Sequence, residues 1–200
     1  MQFTNKPKMK IVFASNNEHK VRELQQIVGT HHQLISLAEI GITEDIPEPY
    51  ETLEENALAK AQFVFQRTGF AAFADDTGLE VNALNGQPGV YSARYAGPQR
   101  NANDNMKKLL QSLENQEDRS AQFRTVIAWG NPQGENQLFE GIVRGEILHA
   151  PIGHEGFGYD PIFCPETYTE SFAQLSASQK NSISHRGRAV QKFIQFLNTL

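Results

Sequence analysis

The stretch FADDTGLEV, residues 73–81, places two aspartates, Asp75 and Asp76, directly after an apolar run. The run GFAAFA, residues 69–74, has the length and composition of a buried β-strand. If the strand continued, successive side chains would point to opposite faces of a sheet, and at most one carboxylate would face a given site. The Thr77-Gly78 pair predicts instead that the backbone turns here. The two aspartates could serve a functional site, or they could cap a solvated turn.

Length and composition predict one globular folding unit. The chain has 200 residues, of which 39% are hydrophobic and 20% charged, and it contains 13 phenylalanines. Such a chain can bury a substantial apolar core, which excludes a disordered protein. We find no internal repeat, low-complexity tract or interdomain linker.

The charge balance and the cysteine content exclude several classes of function. The net charge of −5, from 18 basic and 23 acidic side chains, argues against binding to nucleic acid or to an anionic membrane. Cys164 is the only cysteine, so neither an intramolecular disulfide nor a thiolate metal cluster is expected. No segment has the length of a signal-peptide core or of a membrane span. We therefore expect a cytoplasmic protein.

The first third of the chain alternates strands and helices. KIVFAS, residues 10–15, predicts a strand, and the apolar spacing after it predicts a helix up to residue 28. QLISL, residues 33–37, predicts a second strand, followed by an acidic, proline-broken loop. Thr52 and Glu55 form a capping box for a helix that Gly69 ends.

The rest of the chain predicts a mixed sheet. Residues 82–97 contain three glycines and a proline, which indicates a long ordered loop or a hairpin. A helix over residues 103–115 precedes two strands, 121–130 and 136–148, that flank the turn NPQGE as a hairpin. The last helix carries an apolar stripe from Val190 to Leu197, so we expect it to pack on the core.

Several residues suggest a metal and phosphate site. Carboxylates suit Mg²⁺, which takes one or two of them together with substrate phosphates. The acidic loop offers further carboxylates, whereas the six histidines lack the spacing of a zinc site. Lys20 follows the polar turn Ser15-Asn16-Asn17 at a helix start, which outlines an anion site, although a surface lysine would show the same pattern. Neither a Walker motif nor a dinucleotide-binding glycine motif is present.

Two later motifs could recognise a flat, polar ligand. GFGYDP places Phe157 and Tyr159 between or beside glycines and before Asp160, so a ring could stack on a base while the carboxylate accepts from ring N–H groups. A tight turn with a core phenylalanine is the alternative. SHRGRA places His185 and Arg186 at the start of the last helix, where a solvated helix cap is the alternative.

Taken in order, these motifs resemble one enzyme family. The set FASNNEHKVREL, ENALAKA, FADDTGLEVNALNGQPGVYSARYAG, GFGYDPIF and SISHRGRA resembles the inosine/xanthosine triphosphate pyrophosphatases. The resemblance covers the chain from about Lys10 onward, with residues 1–9 as an N-terminal tail and residues 10–200 as the pyrophosphatase domain. It implies an elongated α/β fold in which a mixed sheet forms two lobes around a central cleft, in a homodimer. It also implies Mg²⁺-dependent hydrolysis of ITP, dITP and XTP to the monophosphate and pyrophosphate.

The resemblance also implies roles for individual residues. Asp76 matches the residue assigned to metal and to activation of water, and Glu48 matches a metal-binding glutamate, here in the variant context PEPYET. Thr77 occupies a position that is usually serine and retains the hydroxyl. The remaining residues match substrate-binding positions: Ser15, Asn16, Asn17, Glu18, His19, Lys20, Lys60, Asp75, Phe157, Gly158, Tyr159, Asp160, Lys180, His185 and Arg186.

The implied mechanism is attack of water at the α-phosphorus. Mg²⁺ held by Glu48 and Asp76 would orient the triphosphate, with either Asp76 or a metal-bound hydroxide as the base. Arg186 and His185 would donate to the 6-keto oxygen of the base, which adenine lacks. Two other functions remain open at this stage: a nucleotide sensor that uses the same cleft without catalysis, and a sugar-phosphate phosphatase.

Overall fold

The computed structural model describes residues 10–28, 33–130 and 136–199. Five α-helices and seven strands occur in these ranges. The strands are β1 (Lys10–Phe13), β2 (Gln33–Ser36), β3 (Ala72–Val81), β4 (Pro88–Gly89), β5 (Ser120–Gly130), β6 (Gln137–Ile147) and β7 (Phe163–Pro165). The α-helices are α1 (Glu18–Val28), α2 (Leu53–Thr68), α3 (Ala102–Ser112), α4 (Ala177–Ile183) and α5 (His185–Leu197).

All seven strands belong to one mixed sheet, which confirms the predicted fold class. The strand order is β2-β1-β3-β5-β6-β7, and β4 pairs with β3 beside this path. β1 is parallel to β2, to which α1 connects it, and to β3, which follows β2 through α2. The other pairs are antiparallel. The predicted β5–β6 hairpin is confirmed, but its turn, residues 131–135, lies outside the described residues, as does the tail 1–9.

The strand that carries the two aspartates does not turn at Thr77-Gly78, so that prediction was wrong. β3 continues to Val81 because β5 pairs with it along its whole length, with Asp75 opposite Ile127 and Asp76 opposite Val126. The two carboxylates therefore point to opposite faces of the sheet. Gly78 serves close packing instead, since a Cβ there would lie 2.8 Å from the carbonyl oxygen of Gly89 in β4.

A gap along one edge of β3 creates a cleft. β1 pairs only with Ala72 and Phe73 of β3, and β4 pairs with Leu79 and Glu80. Within the described ranges, residues 74–78 of β3 have no strand beside them on this edge. Asp75, Asp76 and Thr77 lie in this gap.

Cores on either side of the cleft hold the fold together. One core contains Phe13 and Phe73 with Phe193 of α5, and another contains Leu79 with Phe123 and Phe163 at the far end of the sheet. α2 packs on β3 and β5, and α5 packs on β5 and β6. These helices cover opposite faces, because Phe73 packs with α5 whereas Ala72 and Ala74 pack with α2.

Helix boundaries follow the predicted capping signals. Thr52 Oγ1 accepts from the Glu55 N–H at the start of α2, and Gly69 ends it in a left-handed conformation with φ 71°. The apolar stripe of α5 is buried, as predicted. Across the part of the chain that the structure describes, no helix has both the length and the apolar character needed to cross a membrane.

Candidate active site

A cleft of about 490 Å³ opens along the free edge of β3. It is the place where the widely separated sequence motifs meet. Every predicted site residue except Glu18 and Asp75 lines it, namely Ser15, Asn16, Asn17, His19, Lys20, Glu48, Lys60, Asp76, Thr77, Phe157, Gly158, Tyr159, Asp160, Lys180, His185 and Arg186.

The turn before α1 forms one wall of the cleft. Asn17 Oδ1 accepts from the backbone N–H of His19 at 3.1 Å and of Lys20 at 3.2 Å, so Asn17 caps the helix. Ser15 Oγ accepts from the Asn17 N–H at 3.2 Å. Asn16 Nδ2 donates to the carbonyl of Glu44 at 3.0 Å, which fastens this turn to the acidic loop. The positive end of the α1 dipole therefore lies at the cleft, as an anion site requires.

Asp75 lies beneath the cleft surface rather than on it. Its side chain is fully buried, and its Oδ1 is 3.0 Å from Lys20 Nζ while its Oδ2 is 3.3 Å from Arg186 Nε. Burial disfavours its charge, but Lys20, Arg186 and Lys60 outweigh burial and hold the pKa of this carboxyl well below its usual range. Asp75 therefore fixes two cations that line the cleft. Its predicted direct contact with substrate remains a prediction.

Asp76 points to the opposite face and meets the acidic loop. Lys60 Nζ of α2 lies 3.6 Å from Asp76 Oδ1 and 2.5 Å from Glu48 Oε1. Burial raises the pKa of Asp76, and the charges of Glu48 and Asp75 raise it further against the opposing effects of Lys60 and Lys20. A carboxylate with a raised pKa is better suited to accept a proton near neutral pH than an ordinary aspartate.

Two residues that the sequence did not identify hold Glu48 in place. Arg94 lies 3.6 Å from Glu48 Oε2 through Nη1, and its Nη2 donates to the Glu48 carbonyl at 3.4 Å. Asn56 of α2 accepts from the Tyr50 N–H and donates to its carbonyl, each at 3.0 Å. Arg94 thus holds the loop at Glu48, and Asn56 holds it two residues later, at Tyr50. The predicted role of Glu48 as a metal ligand stays a prediction.

Glu48 and Asp76 fit the part of a magnesium site that a protein supplies. Both carboxylates line the cleft and converge on one cation, the Lys60 ammonium. In the described ranges, no group of three or more Asp, Glu, His or Cys side chains is arranged to hold a metal. Two carboxylates suffice for Mg²⁺ when substrate phosphates and water complete the oxygen shell.

The other end of the cleft is aromatic and cationic. The Phe157 ring stacks on the His19 ring, with centroids 5.1 Å apart and planes inclined by 21°. Lys180 Nζ lies 4.9 Å from the centroid of the Phe157 ring, and Arg186 Cζ lies 5.6 Å from it. A planar ligand with polar edges could stack here and bond to the cations.

Asp160 shapes the glycine-rich loop at this end. Its Oδ2 accepts from the Phe157 N–H and from Lys180 Nζ, both at 2.7 Å. Gly156 is required beside it, because φ is +76° and a Cβ would lie 2.1 Å from Asp160 Oδ2. The Tyr159 hydroxyl donates to the Ser92 carbonyl at 2.9 Å and ties the loop to the opposite wall.

Glu23 of α1, which is not among the predicted site residues, joins the cations of Lys180 and Arg186. Its carboxylate binds Lys180 Nζ at 2.7 Å and also binds the Arg186 guanidinium. Burial opposes its charge, but Arg186 and Lys180 outweigh burial and lower its pKa. A signal was present, because residues three apart on a helix share a face, and Glu23 follows Lys20 by three.

His185 stacks on Phe123, with ring centroids 4.6 Å apart. Burial, followed by the charges of Arg186 and Lys180, lowers the pKa of His185 well below its ordinary value, so the ring is neutral. Its Nδ1 is buried without a hydrogen-bond partner among the described residues. Gly141 of β6 allows this placement, since a Cβ there would lie 2.0 Å from the His185 carbonyl oxygen.

Glu18 lies outside the cleft. Its side chain is exposed and lies 3.6 Å from Arg22 one turn later on α1. Its predicted contact with substrate therefore has no support from side-chain geometry and remains untested.

Arg94 was not predicted to belong to the site. It is the one charged residue in the segment 82–97, and this isolation could have indicated a functional role. Asn105 holds that segment by accepting from the Ala96 N–H at 2.6 Å.

Comparison with known proteins identifies the family. The model of the Ham1 family matches residues 11–196. The chain is 54% identical over 189 residues to a dITP/XTP pyrophosphatase of Flavobacterium johnsoniae, covering 94% of this chain and 98% of that protein. It is 50% identical over 189 residues to a dITP/XTP pyrophosphatase of Porphyromonas gingivalis, covering 94% and 97%.

Solved structures that are similar to this chain include two proteins named Ham1, like the matching family model. The Staphylococcus aureus Ham1 protein is 43% identical and superposes with a TM-score of 0.86, covering 95% of this chain and 98% of that one. A HAM1 protein from Coxiella burnetii is 38% identical with a TM-score of 0.88, covering 96% and 100%. The family match extends over nearly the whole chain, and the motifs that predicted it lie together in one cleft. This chain therefore belongs to the Ham1 family.

Proposed function

We propose that this protein hydrolyses dITP, XTP and ITP to the nucleoside monophosphate and pyrophosphate, with Mg²⁺ as cofactor. This hydrolysis would remove these non-canonical purine nucleotides from the nucleotide pool. The relatives named dITP/XTP pyrophosphatase, at 54% and 50% identity, support the reaction and the substrates. The choice of ITP and of Mg²⁺ rests on the resemblance and on the chemistry of the cleft.

One observation carries the proposal. A single cleft combines a helix start with Lys20 and Lys60, two carboxylates, and an aromatic ring flanked by cations. A triphosphate, a metal ion and a purine base each have a matching part of this surface. A sugar phosphate has no flat ring that could stack on Phe157, which disfavours a sugar-phosphate phosphatase.

The phosphate end provides positive charge and a metal site. The N-terminus of α1, Lys20 and Lys60 would bind phosphate oxygens, because charge-assisted hydrogen bonds stabilise the charge of a phosphoryl transition state. Glu48 and Asp76 would hold Mg²⁺, which when bound supplies further charge neutralisation to the phosphates. Asp75 keeps Lys20 positioned from below.

The chemical step is a displacement at the α-phosphorus. The oxygen of a water molecule forms a bond to this phosphorus while the bridging bond between the α- and β-phosphates breaks, and pyrophosphate leaves with the electron pair. Asp76 accepts the proton of the attacking water. Asp76 lines the cleft beside Lys60 and Glu48, which places its carboxylate at the phosphate end where the attacking water would lie.

The base end would distinguish purines by their 6-position. The 6-keto oxygen of hypoxanthine or xanthine would accept from Arg186 and from the neutral His185 ring. The amino group of adenine cannot accept, so it would leave buried donors unpaired, which costs about 1 to 3 kcal/mol for each donor. Glu23 and Asp75 would keep the Arg186 guanidinium in the required plane.

A product assay tests the proposed function. The protein is incubated with dITP, XTP, ITP, GTP or ATP, with Mg²⁺ or with EDTA, and the products are identified by ³¹P NMR. We expect pyrophosphate and monophosphate from dITP, XTP and ITP, much less from ATP, and none with EDTA. Release of orthophosphate would instead indicate a phosphatase, and binding without turnover would indicate a nucleotide sensor.

We also propose that the protein acts as a homodimer in the cytoplasm. The resemblance supports the homodimer, and the cytoplasmic location is the expectation drawn from the sequence itself. Sedimentation equilibrium across a tenfold range of protein concentration tests the first, with a mass of twice 22.4 kDa as the expected result. A mass of one chain throughout would contradict it.

A further inference from the structure

Lys60 occupies the space between the two carboxylates assigned to the metal. Its Nζ lies 2.5 Å from Glu48 Oε1 and 3.6 Å from Asp76 Oδ1. Its side chain is 7% exposed, so solvent screens these contacts only weakly. The ammonium group is therefore the counter-ion of the carboxylate pair when no ligand is bound.

The carboxylate pair needs a counter-ion for an electrostatic reason. Glu48 and Asp76 face one another across a partly buried site, and two like charges there would repel. Lys60 contacts both carboxylates, so its ammonium group offsets their charges. Arg94, at 3.6 Å from Glu48, adds a second positive charge at the rim.

Lys60 and a divalent ion would compete for the same oxygen atoms. Mg²⁺ binds carboxylate oxygens at about 2.0 to 2.1 Å and requires a nearly octahedral shell. An ammonium 2.5 Å from Glu48 Oε1 occupies that position, so Lys60 must move before the metal can bind. The flexible four-carbon stem of lysine permits this movement, and a nearby phosphate would give the ammonium a new partner.

We propose that Lys60 keeps Mg²⁺ out of the empty cleft, and that the triphosphate draws Lys60 away and so admits the metal. Lys60 is then a positioning residue that couples metal binding to nucleotide binding. Thermodynamic coupling is reciprocal, so the nucleotide would tighten metal binding by the factor by which the metal tightens nucleotide binding. This inference rests on the proposed function, because it assumes that Glu48 and Asp76 hold the metal.

A metal titration in the absence of nucleotide tests the inference. Binding of Mn²⁺ is followed by the loss of the free-ion EPR signal for the wild type, Lys60→Met and the matched control Lys108→Met. Lys108 is an exposed lysine that donates to the Tyr95 carbonyl. We expect Lys60→Met to bind Mn²⁺ about 5- to 150-fold more tightly than the wild type, the usual range of coupling between sites. Lys108→Met should match the wild type.

A second measurement adds a non-hydrolysable ITP analogue to the titration. Mn²⁺ also binds directly to the free analogue. This binding is the same in every titration, so it cancels when the wild type and the variants are compared. We expect the analogue to tighten Mn²⁺ binding less in Lys60→Met than in the wild type. Lys60→Gln gives the same comparison if Lys60→Met is unstable by thermal unfolding. Equal Mn²⁺ affinities of wild type and variants without nucleotide would overturn the inference.

The two proposals fail in different ways. Mg²⁺-dependent pyrophosphate release by the wild type, together with equal Mn²⁺ affinities, would overturn the role of Lys60 alone. Absence of metal-dependent pyrophosphate release would overturn the proposed function and the inference with it.

Discussion

Asp75 Oδ2 lies 3.3 Å from Arg186 Nε, so the strand at the centre of the sheet is joined to the first turn of the last helix by a buried ion pair. The adjacent Asp76 points to the other face and meets Lys60 at 3.6 Å. Neighbouring aspartates thus serve different partners. Asp75 fixes cations beneath the cleft, and Asp76 is available to the reaction.

Substitution of the two aspartates should therefore have different effects. Asp76→Asn should lower kcat for dITP by roughly 10²- to 10⁴-fold, because it removes the proposed base. Asp75→Asn should lower the free energy of unfolding by about 3 kcal/mol, because it leaves buried cations without their partner. Pyrophosphate release and urea unfolding measure the two effects. Wild-type turnover by a folded Asp76→Asn would contradict the mechanism.

Glu23→Gln should weaken substrate binding. Gln keeps the shape but loses the charge that holds Lys180 and Arg186, and hydrogen bonds to charged groups contribute about 1.5 to 3 kcal/mol. We expect KM for XTP to rise roughly 10-fold or more, with a smaller change in kcat. Glu117→Gln, at an exposed glutamate that does not line the cleft, is the control and should leave both constants unchanged. A lower kcat at constant KM would argue against a role in binding the base.

Arg94→Met should weaken metal binding, although Arg94 is not itself a proposed metal ligand. Arg94 contacts both the carboxylate and the carbonyl of Glu48, and loss of such a supporting partner commonly lowers metal affinity by about 10-fold or more. The Mg²⁺ concentration for half-maximal pyrophosphate release should rise accordingly, while the maximal rate at saturating Mg²⁺ recovers. Arg22→Met, at an exposed arginine of α1, is the control. An unchanged Mg²⁺ requirement would refute this role.

His19→Ala should strengthen substrate binding, in contrast to the substrate contact that the resemblance implies for His19. In the free protein, His19 covers the Phe157 ring on which a base would stack, so it must first be displaced. Stacked aromatic pairs contribute about 0.5 to 1.5 kcal/mol, which corresponds to a KM roughly 2- to 12-fold lower in the variant. Steady-state kinetics with dITP measures the change. A higher KM would show that His19 itself stacks on the base.

The buried His185 should make stability depend on pH between 7 and 5. Its pKa is lowered on folding, so below pH 6.5 the unfolded chain binds a proton that the folded chain does not. Stability is therefore fully present above the unfolded pKa and decreases as the pH falls, by about 1 to 2 kcal/mol between pH 7 and 5.

Urea unfolding of His185→Gln tests this dependence. The variant should lose most of the change between pH 7 and 5, whereas His149→Gln, at an exposed histidine, should keep it. Equal slopes of stability against pH for wild type and His185→Gln would exclude the buried histidine as the cause.

Local signals predicted much of the fold. The Thr52 N-cap and the terminating Gly69 set the two ends of α2, because capping depends on neighbouring residues alone. Apolar periodicity predicted the burial of α5, because the spacing of apolar residues along one helix is also a local pattern. The path of β3 was not predicted, because it depends on pairing with β5, a distant segment that overrides the turn preference of Thr77-Gly78.

The sequence by itself determined the family, the types of the main elements and 16 of the 28 described residues that line the cleft, because these are carried by motifs and short-range patterns. Only the tertiary structure decided that Asp75 and Asp76 face opposite sides, that Glu23 and Arg94 support the site, and that Lys60 lies between two carboxylates. The physical reason is that each of these relationships joins elements far apart in the chain. Their distances are set by sheet pairing and helix packing, which no local pattern encodes.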